Sequence, residues 1–177
     1  MRVAMNRLDG KVALISGAAR GIGAEVARLM ASVGASVVIG DILTDIGEQT
    51  ASEINSSGGG AAFVKLDVTS EADWQAAIDT AQSRFGKLDI LVNNAGLFLG
   101  KSIDEASVEE WNRLVAVNMT GVFLGTKLAT PALKAAGAES PEGSAVVNLS
   151  SIAGLVGAPR SSGSGLHYVQ RPKPETL

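Results

Sequence analysis

Five short apolar runs punctuate the chain: VALIS (12–16), SVVIG (36–40), AAFVKL (61–66), LDILV (88–92) and AVVNL (145–149). Between them lie longer stretches whose apolar residues recur at helical spacing. A strand that is apolar at consecutive positions has no face to offer to water, so both of its faces must be covered. Such strands, separated by helices, imply a parallel sheet covered on both sides, and right-handed crossovers make it doubly wound. The alternation therefore predicts one α/β domain with a doubly wound parallel sheet. Ligands of such sheets bind beyond the carboxyl ends of the strands, so the residues just after each run carry the functional argument.

The intervening stretches differ in strength. After the first run, Ile22, Val26, Leu29 and Val33 predict one apolar helix face, and residues 44–56 predict a weaker helix. Gly58, Gly59 and Gly60 form a flexible connection. Trp74, Ile78, Ala81 and Phe85 mark a third helix. A long helix from about 107 to 136 carries Trp111, Val115, Val122, Ala129 and Leu133 as its stripe. At 177 residues the chain suits a single domain with its own core.

Charge and composition exclude several functions. A formal net charge of −3 and the lack of a Lys/Arg run argue against nucleic acid or anionic lipid as a partner. Without cysteine there are no disulfides, thiolate metal sites or Cys nucleophile, and a single histidine makes a metal centre an unexpected feature. No window approaches the roughly 20 apolar residues of a membrane span, and MRVAMNRLDG lacks the apolar stretch of a signal peptide. The expectation is a soluble cytoplasmic protein that handles a small molecule.

SGAARGIG (16–23) joins the first run to the first helix, with Gly17, Gly21 and Gly23 spaced GxxxGxG. Phosphates approach a backbone only where side chains are missing, and the helix N-terminus supplies free N–H groups and partial positive charge. A tight structural turn would use the same glycines, but the strand-turn-helix context favours a dinucleotide. Arg20 and Ile22 share this turn and are candidate cofactor contacts. The second run ends at Asp41, eighteen residues past Gly23. A carboxylate there can accept bonds from both ribose hydroxyls and repels a 2′-phosphate, favouring NAD over NADP. Ile42 offers no compensating cation, although Arg20 can reach from the turn; as a plain alternative, Asp41 caps the strand end.

Taken in order, GxxxGxG, the strand-end acid, Asp67-Val68, NNAG (93–96), Asn118 within AVNMTG, and NLSSIAG (148–154) resemble the short-chain dehydrogenase/reductase family across residues 9 to about 162. The resemblance implies a Rossmann-like sheet of order 3-2-1-4-5. It implies that Asp67 and Val68 hold the adenine, and that Asn94, Ala95 and Gly96 line its pocket and tie the fourth strand to the backbone around it. It also implies hydride transfer between a nicotinamide and a secondary alcohol or ketone. In the family a Tyr is the general acid/base, a Lys four residues later lowers its pKa, a Ser orients the substrate oxygen, and an Asn steadies a water relay. Ser151 matches the Ser and Asn118 the Asn; as plain alternatives, the first is a turn residue and the second a polar helix residue.

The Tyr would fall at Ser164. The only tyrosine is Tyr168, with Pro172 four residues later and Lys173 beyond it, and Pro172 and Pro174 oppose a helix that would hold both groups. His167 stands in the same Gly- and Pro-rich tail. The expectation is a dinucleotide-binding domain over 1–162 and an irregular tail over 163–177, without the Tyr/Lys helix and the later strands and helices. Two functions follow: an oxidoreductase by descent whose catalytic pair is missing, or a nucleotide-binding protein without catalysis. The loops LFLGKSI (97–103) and IAGLVGAPR (152–160) are mostly apolar and hint at a hydrophobic substrate. By the same resemblance, the helix over 107–136 is half of an oligomer surface, and AVVNL leaves an apolar sheet edge open to a second chain.

Overall fold

The computed structural model describes residues 8–101 and 104–151. The strands are β1 (Val12–Ser16), β2 (Ser36–Asp41), β3 (Gly60–Lys65), β4 (Ile90–Asn93) and β5 (Ala145–Asn148). All pair in parallel, in the order β3-β2-β1-β4-β5. The helices are α1 (Gly21–Ser32), α2 (Thr44–Ser56), α3 (Glu71–Phe85), α4 (Val108–Val115) and α5 (Gly121–Ala138), with a π-helical turn over Ala116–Thr120 between the last two. This is the doubly wound, Rossmann-like sheet expected from the alternation of runs and helices.

Each central strand feeds two cores at once. Val12 and Leu14 of β1 pack with Trp74, Ile78, Leu124 and Leu133 from α3 and α5. Ala13 and Ile15 pack on the opposite face with Ala27, Ala31, Ala51 and Ile54 from α1 and α2. The period-2 alternation of a strand explains why VALIS is apolar throughout. Along α3 the predicted stripe holds, since Trp74, Ile78 and Ala81 are buried and Phe85 packs against the same core.

Two helix faces differ from expectation. On α1 the buried residues are Gly23, Ala24, Ala27 and Ala31, whereas Ile22 is 69% and Leu29 61% exposed. Gly23, Ala24, Ala27 and Ala31 make the close approach to the sheet while Val26, of the predicted stripe, packs partly buried beside them, so steric fit shares with hydrophobicity in choosing the face. The long helix keeps Ala129 and Leu133 buried, but its first half turns Leu114 inward and leaves Trp111 half-exposed. Its π-helical turn accommodates one residue more than an α-helical turn, so a stripe counted at 3.6 residues loses phase across Ala116–Thr120.

Strand β5 closes the described sheet. Leu91 lies opposite Val146 and Val92 opposite Val147, yet all four β5 residues are exposed. The strand is tied in by its end: Asn93 Nδ2 donates to Asn148 Oδ1 at 2.8 Å and to Thr126 Oγ1 of α5 at 3.2 Å.

Candidate functional site

The carboxyl ends of β1 to β4 surround a cavity of about 600 Å³. Gly17, Arg20 and Gly21 form one side of it, Asp41 and Asp67-Val68 the second, Asn94-Ala95-Gly96 the floor, and Arg113, Ala116 and Val117 the far wall. Four separate strand-end motifs of the sequence thus meet in one place, because parallel strands bring all their carboxyl ends to the same rim.

The glycine turn is built for close approach. Gly17 has φ +66°, and a Cβ on it would lie 2.7 Å from the Ala95 Cα. A Cβ on Gly23 would meet the Gly17 carbonyl oxygen at 2.4 Å and Asn94 Nδ2 at 2.5 Å. Gly23 therefore packs beneath the turn and does not line the cavity, which is a structural role distinct from that of Gly17 and Gly21. The first turn of α1 has neither a side-chain cap nor an acidic residue. By contrast, Ser70 caps α3 and Ser107 closes a capping box on α4. The open N–H groups of α1, next to a backbone free of side chains, suit an anionic ligand such as a pyrophosphate.

NNAG locks this turn to β4. Asn94 Nδ2 donates to the carbonyls of Ser16 at 2.8 Å and Gly17 at 2.9 Å. In return Ser16 Oγ accepts from the amides of Asn94 and Ala95, both at 3.1 Å. Ser16 was read only as a strand end in the sequence. Its hydroxyl organises the cavity floor, a role that no local pattern announces.

Asp41 is 8% exposed and serves the turn directly. Its Oδ2 accepts from the Ala19 amide at 2.9 Å and its Oδ1 from the Leu43 amide at 3.0 Å. The carbonyl of the same Ala19 accepts from Thr50 Oγ1 at 2.8 Å. The capping alternative is thus present in the geometry. It does not compete with ribose recognition, because each carboxylate oxygen has a second lone pair and Asp41 lines the cavity.

Asp67 holds a turn of its own. Its Oδ1 accepts from the Thr69 amide at 2.9 Å and the Thr69 hydroxyl at 2.7 Å. These two bonds, with the positive charges of Arg113 and Lys65, hold its carboxyl below the ordinary carboxylate range. Val68 beside it is fixed from behind, where the buried Trp74 donates its Nε1 hydrogen to the Val68 carbonyl at 2.9 Å.

Like Gly23, the predicted residues Ile22, Asn118 and Ser151 are not among those that line the cavity. Ile22, in the first turn of α1, is 69% exposed. Asn118 sits at the centre of the π-helical turn and grips Leu97: its Oδ1 accepts from the Leu97 amide at 2.7 Å and its Nδ2 donates to the Leu97 carbonyl at 2.8 Å. Ser151 follows β5 and is the last described residue. Ser164, His167, Tyr168, Pro172, Lys173 and Pro174 lie outside the described residues, as does the whole apolar loop 152–160. Arg113, Ala116 and Val117 line the cavity without having been expected; their mutual i, i+3, i+4 spacing places them on one helix face, although Ala116 and Val117 stand inside the AVNMTG stretch.

The profile of the short chain dehydrogenase family matches residues 11–163. The chain is 51% identical to trans-4-hydroxycyclohexanecarboxylate dehydrogenase of Sinomonas cyclohexanicum, over 86% of this chain and 59% of that protein. It is 48% identical to the 3-alpha-(or 20-beta)-hydroxysteroid dehydrogenase of Mycobacterium tuberculosis, over 85% of this chain and 55% of that protein. The crystal structure of a short chain dehydrogenase/reductase from Burkholderia phymatum in complex with NAD matches with a TM-score of 0.85 and 32% identity, covering 93% of this chain and 57% of that one. The chain thus spans 55–59% of the length of these curated relatives. With its profile, its sheet order and its ordered strand-end motifs in agreement, the chain belongs to the short-chain dehydrogenase/reductase family of oxidoreductases.

Proposed function

We propose that the described domain binds a nicotinamide dinucleotide, NAD in preference to NADP, and belongs to the machinery of a dehydrogenase acting on an alicyclic secondary alcohol or its ketone. The observation that carries this reading is the side-chain-free cradle of Gly17 and Gly21 at the uncapped end of α1, facing Asp41 and Asp67 across one cavity. Support for NAD comes from Asp41, whose charge opposes a 2′-phosphate, and from the relative solved with NAD. Support for the substrate class comes from the relatives' names, one a hydroxycyclohexanecarboxylate dehydrogenase and the other a hydroxysteroid dehydrogenase.

The residues divide the work by position. Gly17 and Gly21 would admit the pyrophosphate to the α1 terminus, Asp41 would accept the ribose hydroxyls, and Asp67 with Val68 would seat the adenine, with Arg20 at the mouth. Asn94 keeps Ala95 and Gly96 in place beneath them. When bound, the nicotinamide supplies the acceptor for a hydride from the alcohol carbon. Ser151 would orient the substrate oxygen, and Asn118 would act by holding the Leu97 segment in place. The alcohol proton must leave to a base, and for that role this chain has a single tyrosine, Tyr168, followed four residues later by Pro172. We therefore propose that the 177-residue chain binds the dinucleotide without efficient turnover. A catalytically competent oxidoreductase is the second reading, and it rests on the family relationship.

Calorimetry with NAD, NADP and ADP-ribose, run beside the appearance of reduced nicotinamide in the presence of cyclohexanol-type alcohols, separates these readings. Binding of NAD and ADP-ribose with negligible reduction is expected. Rapid, saturable reduction would overturn the assignment of a binding-only chain, and failure of all three ligands to bind would overturn the cofactor reading.

A further inference from the structure

Two guanidinium groups line the cavity, and only Arg20 belongs to a motif. Arg113 is the other, projecting from α4 on the wall that continues into Ala116 and Val117. The other charges nearby on α4 are engaged: Glu110 takes Lys101 at 2.6 Å and also closes the cap of Ser107. Arg113 takes no hydrogen bond or ion pair among the described residues, and its charge acts on Asp67 across the cavity. Asp67 commits Oδ1 to Thr69 and leaves Oδ2 with no hydrogen bond among the described residues.

This end of the cavity is a slot. Leu66 and Val68 face it from the end of β3, Ala116 and Val117 from the helix, and one carboxylate and one guanidinium stand at its rim. A flat aromatic ring with an exocyclic amino group matches that arrangement: the apolar side chains at the strand end take one face, the free carboxylate oxygen accepts from the amino group, and a planar cation from the helix stacks on the other face. A lysine would supply the charge without the plane.

We infer that Arg113 is a further cofactor-recognition residue, its guanidinium covering the adenine base that Asp67 and Val68 seat. The inference rests on the dinucleotide reading above and names a contact that the strand-end motifs do not include. Because Arg113 is exposed and unpaired within the described fold, its loss should change recognition and leave stability alone.

The test compares the parent chain with Arg113→Ala and Arg113→Lys. ADP-ribose, which carries adenine, is titrated by calorimetry; nicotinamide mononucleotide, which does not, is titrated by ligand-observed NMR; thermal unfolding is followed in parallel. Both variants should bind ADP-ribose about tenfold more weakly, with mononucleotide affinity and the unfolding midpoint unchanged. ADP-ribose affinity within about twofold of the parent, full recovery in the Lys variant, or equal loss for both ligands would each overturn the inference. A parent chain that fails to bind ADP-ribose would bring down the dinucleotide reading as well, which separates the two failures.

Discussion

Asn118 holds the backbone of Leu97 from both sides, accepting from its amide at 2.7 Å and donating to its carbonyl at 2.8 Å. A side-chain amide used this way replaces the strand partner that Leu97, lying past the end of β4, no longer has. The π-helical turn around Asn118 presents the amide at this height, in keeping with the tendency of π turns to occur at functional sites. Asn118→Ala should cost about 1–2 kcal/mol, the sum of two modest hydrogen bonds, and should raise hydrogen exchange at the Leu97 amide above that of β4. Unchanged exchange at Leu97 would show that other contacts hold the segment.

Gly23→Ala tests the packing beneath the turn. The added methyl would press on the Gly17 carbonyl and on Asn94 Nδ2, so the turn must shift or Asn94 must release it. Overpacking of this kind costs about 1–3 kcal/mol. ADP-ribose affinity should fall with stability, and a variant that keeps both would mean the turn yields freely.

Asp41→Ala should have two separable effects. Removing the carboxylate strands the buried Ala19 amide, costing about 1–3 kcal/mol in denaturant unfolding. It also removes the charge opposed to a 2′-phosphate, so the ratio of NAD to NADP affinity should fall. Loss of stability with an unchanged ratio would reduce Asp41 to a strand-end cap.

Asp67 predicts the acid limb of binding. Its lowered pKa means that the ionised form, and whatever it contributes, is fully present above the ordinary carboxylate range and is lost as the pH falls through the lowered value. ADP-ribose affinity should therefore stay flat into mild acid. Thr69→Ala removes the hydroxyl bond but keeps the amide bond, which is the larger influence, so it should move the acid limb part of the way back up. An acid limb that does not move would show that Asp67 takes no part.

Val147, 46% exposed on β5, tests self-association. Lysine at an exposed strand position discourages edge-to-edge pairing. Val147→Lys should lower the associated fraction of the 177-residue chain in sedimentation velocity at equal concentration. An unchanged fraction, or a parent chain that sediments as a monomer, would show that β5 is no self-association edge.

Much of this site was legible in the chain because its parts are local. A glycine turn after a strand and an acid at a strand end each depend on neighbours within a few residues, and period-2 and period-3.6 patterns report burial while one element faces one core. The strand order is carried by the family resemblance, and the meeting of Gly17, Asp41, Asp67 and Asn94 follows because parallel strands bring their carboxyl ends to one rim. The apolar stripe of α1 misled because contact with the sheet is set by volume: alanines and a glycine face the sheet while Ile22 and Leu29 face out.

The order of runs and turns along the chain determined a parallel sheet with a nucleotide-sized cradle at its rim, since backbone geometry and burial periodicity are properties of short segments. Tertiary structure alone decided that the Ser16 hydroxyl joins β1 to NNAG, that Asn118 grips Leu97, and that Arg113 reaches the slot beside Asp67. Those relationships join residues 21 to 78 positions apart. Direction and distance between such residues exist only after the helices have packed and the π-helical turn has set the phase of the last one.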